Sequence, residues 1–286
     1  MPYFYLPIIF LFGAAVGSFI AVIAARYNTG LSFWRGRSFC FSCSTELGRG
    51  DLVPIFSFLY LSGRCRYCES RIPRETLVTE LLMGVLSVLA FLKSGLVNSL
   101  ELRAWSLEGG LIYLLLVMVF AVILLISIYD LHHFIIPDAF LLVFLFLSFL
   151  YNSYSTVLNS SSLISKLLAL SSSGFFLTLP FLLIFLISRG RWLGFGDVKY
   201  IAVIGFFLGF IQGISAVILA FWIGAAFSLI ALLLKKMKSH FSLPTFLNNL
   251  TIKSEIPFGP FLSVGILVSF FLNLDLFQIN SLLNVF

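Results

Sequence analysis

Charge is what this chain has least of. Only 10% of its 286 residues are Asp, Glu, Lys or Arg, and 12 of them are acids. A soluble domain carries about 25%. So little polar surface excludes a water-facing globule and leaves lipid as the solvent for most of the chain. Hydrophobic residues make up 60%, and the mean hydropathy is +1.08. No basic stretch precedes the first apolar run, YFYLPIIFLFGAAVGSFIAVIAA, which is also too long for a signal-peptide core, so it is expected to be a retained span. Low-complexity tracts and a fixed-period repeat are missing as well.

Apolar runs long enough to cross a bilayer are expected at about 3–25, 76–95, 110–130, 134–151, 163–187, 198–212, 214–234 and 257–275. The pairs 110–151 and 198–234 read as hairpins, the second divided at Gln212 and Gly213. The fold class is therefore all-α and polytopic, with about eight transmembrane helices. Ser-rich NSYSTVLNSSS, residues 152–162, reads as a polar outer loop.

Lys and Arg set the orientation. Segments 26–75, 188–199 and 235–256 hold 8, 3 and 4 basic residues, 15 of the 18 in the chain. With eight spans they share one side, the cytoplasmic one, and both termini lie outside. This asymmetry accounts for the pI near 9.2, so no nucleic-acid partner is expected. Three regions follow: a first helix (1–25), a cytoplasmic loop (26–75) and a seven-helix membrane domain (76–286).

The loop is small for a self-supporting core, and all four cysteines lie in it. Cys40 and Cys43 form one CxxC pair and Cys65 and Cys68 a second, with 21 residues between the pairs. Two tight turns of this kind suit a tetrahedral zinc ion held by four thiolates. A cytoplasmic setting argues against disulfides, and no thioredoxin-like pattern surrounds either pair. Four sulfurs leave no open coordination position, so the zinc is structural.

Depth sorts the acids. Glu46, Asp51, Glu69 and Glu75 belong to the cytoplasmic loop, Glu101 and Glu108 to an outer one, and Glu255 and Asp275 flank the last span. Glu80, Asp130, Asp138 and Asp197 lie within or at the edge of spans, where ionisable groups are costly and point to function. Topology brings Asp130 and Asp197 to the same membrane face, although 67 residues separate them. Two facing carboxylates cannot both ionise cheaply, and a pair sharing a proton can act as base and acid on a peptide bond. The bland alternative is that Asp138 and Asp197 complement helix dipoles. Gly194 and Gly196, flanking Phe195 in LGFGDVK, would permit close approach and unusual backbone angles. His132 and His133 read as interfacial or hydrogen-bonding groups, and Gly13 and Gly17 as a helix-packing GxxxG pair.

Together GAAVGSFIAVIAARY, the two-CxxC loop, RETLVTELLMG, YDLHHFIIPD, GFGDVK and EIPFGPFLSVG resemble the bacterial type IV prepilin peptidases, GxGD-type aspartic membrane proteases. The resemblance covers most of the chain and departs at His132, where an acid is common, and at Phe41, where a proline is. It implies cleavage of a short basic leader after a glycine in prepilins or pseudopilins at the bacterial inner membrane. It also implies N-methylation of the new terminus from S-adenosylmethionine. Asp130 and Asp197 match the catalytic pair, with Gly194, Gly196, Lys199 and Asp138 supporting. No glycine-rich fingerprint marks the S-adenosylmethionine site; Glu80 is the one candidate. The rival reading is a non-enzymatic membrane protein, either a proton-coupled transporter or a zinc-stabilised assembly factor. A transporter favours paired broken helices, and only one Gly-interrupted site is evident, near 194–196.

Overall fold

A computed structural model describes residues 5–35, 37–94, 107–158, 162–236 and 256–276. Nine α-helices are present among them: α1 (Leu6–Arg26), α2 (Phe56–Tyr60), α3 (Arg74–Lys93), α4 (Leu107–His133), α5 (Asp138–Leu158), α6 (Leu163–Ser188), α7 (Phe195–Leu208), α8 (Phe210–Lys236) and α9 (Gly259–Leu272). The only β pairing among the described residues is two isolated bridges in the loop after α1. Each of the eight expected spans falls on a helix. Six of them, α1, α3, α4, α5, α6 and α8, are long and apolar enough to cross a membrane. At 14 residues each, α7 and α9 are shorter, about 21 Å against a hydrocarbon core of about 30 Å. Glu101, Glu255, Lys238 and Lys253 lie outside the described residues.

The chain divides into two compact units, Met1–Ile128 and Tyr129–Phe286. The expected boundary at 75/76 put α3 with the later helices, whereas α3 belongs with α1. The reason is a strip of small residues. A Cβ on Gly17 would lie 2.8 Å from the Thr79 carbonyl oxygen and 2.9 Å from Glu80 Cα, and one on Gly13 would meet Ser87 and the Met83 carbonyl oxygen. The GxxxG pair is thus the α1–α3 contact, the role expected for it. Ser87 Oγ donates to the Ile9 carbonyl and accepts from the Tyr113 hydroxyl.

In the second unit α7 packs on α6 and α8 on α9. The α7–α8 division falls at Gly209 rather than at Gln212–Gly213. Gly209 takes φ +80°, ψ 177°, a backbone state that side chains rarely adopt, and its N–H still closes onto the Gly205 carbonyl. Asn152 Nδ2 donates to the Phe206 and Phe207 carbonyls, which a helix end would otherwise leave unpaired. Conformation, not polarity, sets this break. The expected outer loop at 152–162 is correspondingly short, because α5 continues to Leu158. Asn152 and Thr156 are buried, and Thr156 Oγ1 bonds back to the Asn152 carbonyl, so these polar residues extend the helix instead of ending it.

Replacing Gly17 with valine should lower the thermal midpoint of the purified protein in detergent, by about 1–3 kcal/mol of unfolding free energy. The same change at Gly50, where a Cβ would meet nothing within 4 Å, should leave the midpoint nearly unchanged.

Candidate active site and metal centre

Three helix ends of the second unit meet around Asp130. Its side chain lies in the last turn of α4 and is 4% exposed. Gly259, the first residue of α9, donates its N–H to Asp130 Oδ2 at 2.9 Å. A Cβ on Gly259 would sit 2.6 Å from that same oxygen, so only glycine allows this approach. Asp130 lies at the C-terminal end of its own helix, where the dipole does not favour an acid, yet the N-terminal end of α9 supplies one that does, with Pro260 in its first turn as a start signal. A relay sets the position of this donor. Tyr200 of α7, fully buried, hydrogen-bonds Ser263 at 2.8 Å, and Ser263 Oγ donates to the Gly259 carbonyl at 2.9 Å.

Asp197 occupies the third position of α7. It accepts from the N–H of Gly194, the residue that caps the helix, which is half of a capping box. Asp130 is near enough for its charge to act on Asp197 and on Tyr200. Two carboxylates 67 positions apart in the chain are therefore within electrostatic reach. Of the two roles expected of the glycines around Asp197, close approach is used and unusual backbone angles are not. Gly194 has ordinary extended angles, φ −70° and ψ 145°, and Gly196 is helical. What Gly196 provides is space, since a Cβ there would lie 3.2 Å from Ile136 Cβ. The loop before α7 thereby closes on the corner 134–137 that follows Asp130.

Around the pair, Asp138 at the start of α5 forms an ion pair with Lys199 of α7, and Lys199 also lies 4.9 Å from the centre of the Phe195 ring. His133 stacks on Tyr129 with ring centres 4.1 Å apart, its Nδ1 3.1 Å from the Tyr129 carbonyl oxygen. That is the hydrogen-bonding role expected of it.

The loop of the first unit brings its four cysteines together. Their sulfurs all lie within 4.8 Å of one another, and Cys40 Sγ is 3.8 Å from Cys68 Sγ. A tetrahedron with metal–sulfur bonds of about 2.3 Å has edges of about 3.8 Å, so the donor set suits zinc. Each CxxC pair sits in the same turn. Ser44 N–H bonds to Cys40 O and Cys40 N–H to Thr45 O, and Glu69 and Cys65 repeat this with Cys65 O and Ser70 O. Ser44 and Glu69 both take φ +57°, and the bridges Phe39–Glu46 and Arg64–Arg71 close the two turns. Every matching position is 25 residues apart. No fixed-period repeat was legible in the sequence; locally there is one.

Ser70 joins the halves. Its hydroxyl lies 3.1 Å from Cys68 Sγ and 3.6 Å from Cys40 Sγ. The Cys40 thiol is drawn down to about 6, first by the Cys43 N–H and then by Ser70, which favours the thiolate that binds metal. Asp51 clasps the second turn to the first, accepting from Arg66 Nε at 2.7 Å, Tyr67 Oη at 3.2 Å and Gly48 N–H at 3.0 Å. Burial opposes its charge, but these donors hold the carboxyl below its usual range. The clasp therefore contributes at neutral pH and is lost as pH falls through that lowered value.

Residues 11–94 match the Bacterial Peptidase A24 N-terminal domain, and residues 117–229 match the Type IV leader peptidase family. The chain belongs to the type IV leader peptidase family. Similar proteins named prepilin leader peptidase/N-methyltransferase occur in Bacillus subtilis (28% identity, covering 93% of each chain) and Klebsiella pneumoniae (29%, covering 73% of this chain and 87% of the relative). Another occurs in Aeromonas salmonicida, at 25% identity over 93% and 90% of the two chains. No solved structure matches this chain. Like its family, this leader peptidase homologue is a multi-pass membrane protein. Glu80, the sequence candidate for a cofactor contact, is buried on α3. It accepts from the Ile55 N–H at 2.6 Å and from the Ser18 hydroxyl. Ile55 has φ +66°, a strained state for a β-branched residue, and Glu80 is what anchors it.

The purified family member should carry about one zinc ion per chain by elemental mass spectrometry, and Cys40→Ser or Cys65→Ser should abolish it. Ser70→Ala should keep the ion but weaken its retention against a chelator about tenfold.

Proposed function

We propose that Asp130 and Asp197 are the catalytic pair of a membrane aspartyl endopeptidase that removes the leader from type IV prepilins or pseudopilins. The observation that carries this reading is the convergence of two acids, one buried and one half-buried, within electrostatic reach at the ends of α4 and α7. Ionisable groups at membrane depth are costly and point to function. A pair sharing a proton supplies both halves of peptide hydrolysis. The ionised carboxylate takes a proton from water as the water oxygen attacks the scissile carbonyl carbon, while the protonated partner hydrogen-bonds the carbonyl oxygen. As the tetrahedral intermediate collapses, the carbon–nitrogen bond breaks and the leaving amine receives a proton from the pair.

The supporting residues act by position. Gly259 holds Asp130 by its N–H, Gly194 holds Asp197 by its own, and Gly196 gives the room that lets both segments approach. Asp138 and Lys199 tie the start of α5 to α7 beside the pair. The basic loop 26–75 lies on the cytoplasmic side, in keeping with the distribution of Lys and Arg, and the substrate's basic leader meets the enzyme on that side. The relatives' names support a second activity, N-methylation of the newly exposed terminus. S-adenosylmethionine would supply the methyl group. Zinc bound by Cys40, Cys43, Cys65 and Cys68 would order the loop and take no part in the chemistry.

Asp130→Asn and Asp197→Asn, each assayed on a purified prepilin, should lose cleavage by about four orders of magnitude or more, with unchanged thermal midpoints. Full cleavage by either variant would exclude the pair. Gly259→Ala should lower kcat about a hundredfold with KM little changed, because the added methyl displaces the Asp130 carboxylate rather than any substrate contact. Mass analysis of the product N-terminus, with and without S-adenosylmethionine, reads the second activity.

A further inference from the structure

Residues 52–63, LVPIFSFLYLSG, form a run of twelve without a charge, inside a loop that holds eight basic residues. A run of this length is too short to span a bilayer but suits an interfacial segment. Its side chains build no core for the loop. No residue of α2 is buried, and Phe56, Leu59 and Tyr60 are 58%, 62% and 81% exposed. Neither the acid pair nor the cysteine cluster uses them.

The anchor of this run fixes its depth. α1 and α3 have 21 and 20 residues, so each measures about 30 Å, the thickness of the hydrocarbon core, with no turn to spare. Glu80 accepts from the Ile55 N–H and from the Ser18 hydroxyl. It lies six residues beyond Arg74, the first of α3, which is about 9 Å along the helix. Ile55 is therefore held beside the spans, below their ends, and α2 starts at the next residue. The backbone there is closed on itself, as lipid requires: Ser57, Leu59, Leu61, Ser62 and Gly63 all donate to carbonyls within residues 53–59. A second part of the loop folds back as far. The ring of Trp34, 78% exposed, is centred 5.8 Å from that of Phe19, on the outer surface of α1 and about 10 Å before its end.

The geometry points to a loop seated in the membrane: Phe56, Leu59 and Tyr60 of α2, together with Trp34, lie in the leaflet where α1 ends and α3 begins, and phospholipid is their partner. Three observations select lipid over protein. The exposed apolar run adjoins the apolar surface of two spans, at Phe19 through Trp34 and beside Glu80 through Ile55. Tyr60 and Trp34 carry a polar tip on an apolar ring, the chemistry that favours the boundary between headgroups and acyl chains. Charge is complementary as well. Arg26, Arg35 and Arg37 line a cavity at the end of α1 whose one acid, Glu46, is already paired with Arg37, so a positive surface adjoins Trp34 where lipid phosphates are negative. The metal-binding turns, with Arg64, Arg66 and Arg71 around the second, remain in water.

The test uses the full chain with zinc bound, reconstituted in vesicles of phosphatidylethanolamine and phosphatidylglycerol. The photoreactive residue benzoylphenylalanine, placed at Tyr60, should form lipid adducts on illumination. Their yield should match that of the same probe at Leu82, exposed on α3, and exceed by roughly tenfold or more that of the probe at Gly50, which stands in open space. The tryptophan emission that separates the wild type from Trp34→Phe should be largely quenched by lipid brominated near the ester end of its acyl chains. A yield at position 60 no higher than at position 50 would overturn the proposal, as would a Trp34 signal that brominated lipid leaves intact. Adducts at position 60 that join two chains would also overturn it, giving the α2 face to a second copy. If the probe at position 60 costs the chain its zinc, the Trp34 signal decides alone.

Discussion

One hydrogen bond organises the membrane unit: the Gly259 N–H to the Asp130 carboxylate. A buried acid needs a partner in place of water, and here the partner is the open end of a helix whose first residue has no side chain to block the approach. The bond requires α9 to start where α4 ends. The Tyr200–Ser263 hydrogen bond then fixes α7 against α9, and Asp197 is carried to the same place by the first turn of α7. Removing the bond would leave a carboxylate in low dielectric with its strongest donor gone.

The water-facing loop solves a different problem. It has too little apolar content to fold by burial, so its order rests on groups that converge on points: four sulfurs on one centre, and Arg66, Tyr67 and Gly48 on Asp51. The two turns have the same backbone, down to the left-handed residue after the second cysteine. Their side chains differ, and Ser70 of the second turn serves one thiol of each half, drawing both Cys40 and Cys68 down. Burial holds the membrane helices and coordination suits the loop, which is why their sequences look so unlike.

Much of this was legible in the sequence because lipid is an undemanding reader of it. Eight apolar runs became eight helices, since any such run must satisfy its own backbone in a bilayer. The CxxC spacing gave the sulfur cluster, because two intervening residues constrain a turn locally. The misses are tertiary. Gly209 and Gly213 look alike in the sequence, and only the left-handed backbone of Gly209 and the bonds from Asn152 show which one ends a helix. Gly194 and Gly196 suggested unusual backbone angles, whereas their angles are ordinary and Gly196 serves proximity to Ile136. The place of α3 beside α1 depended on two glycines meeting the carbonyls of another helix. Gly259 carried a start signal in its proline neighbour, but nothing in a linear chain tells that the helix beginning there points at residue 130.

That separation has a consequence for how the molecule comes into being. Asp130 and its donor are 129 residues apart, which a ribosome working at roughly 5–20 residues per second takes about 6–26 s to bridge. Through about the second half of that interval both acids are already made, while the terminal segment that positions one of them is still unwritten. On the proposed catalytic role of the pair, a nascent chain would be inert toward peptide bonds in its surroundings until its closing helix has been delivered into the bilayer.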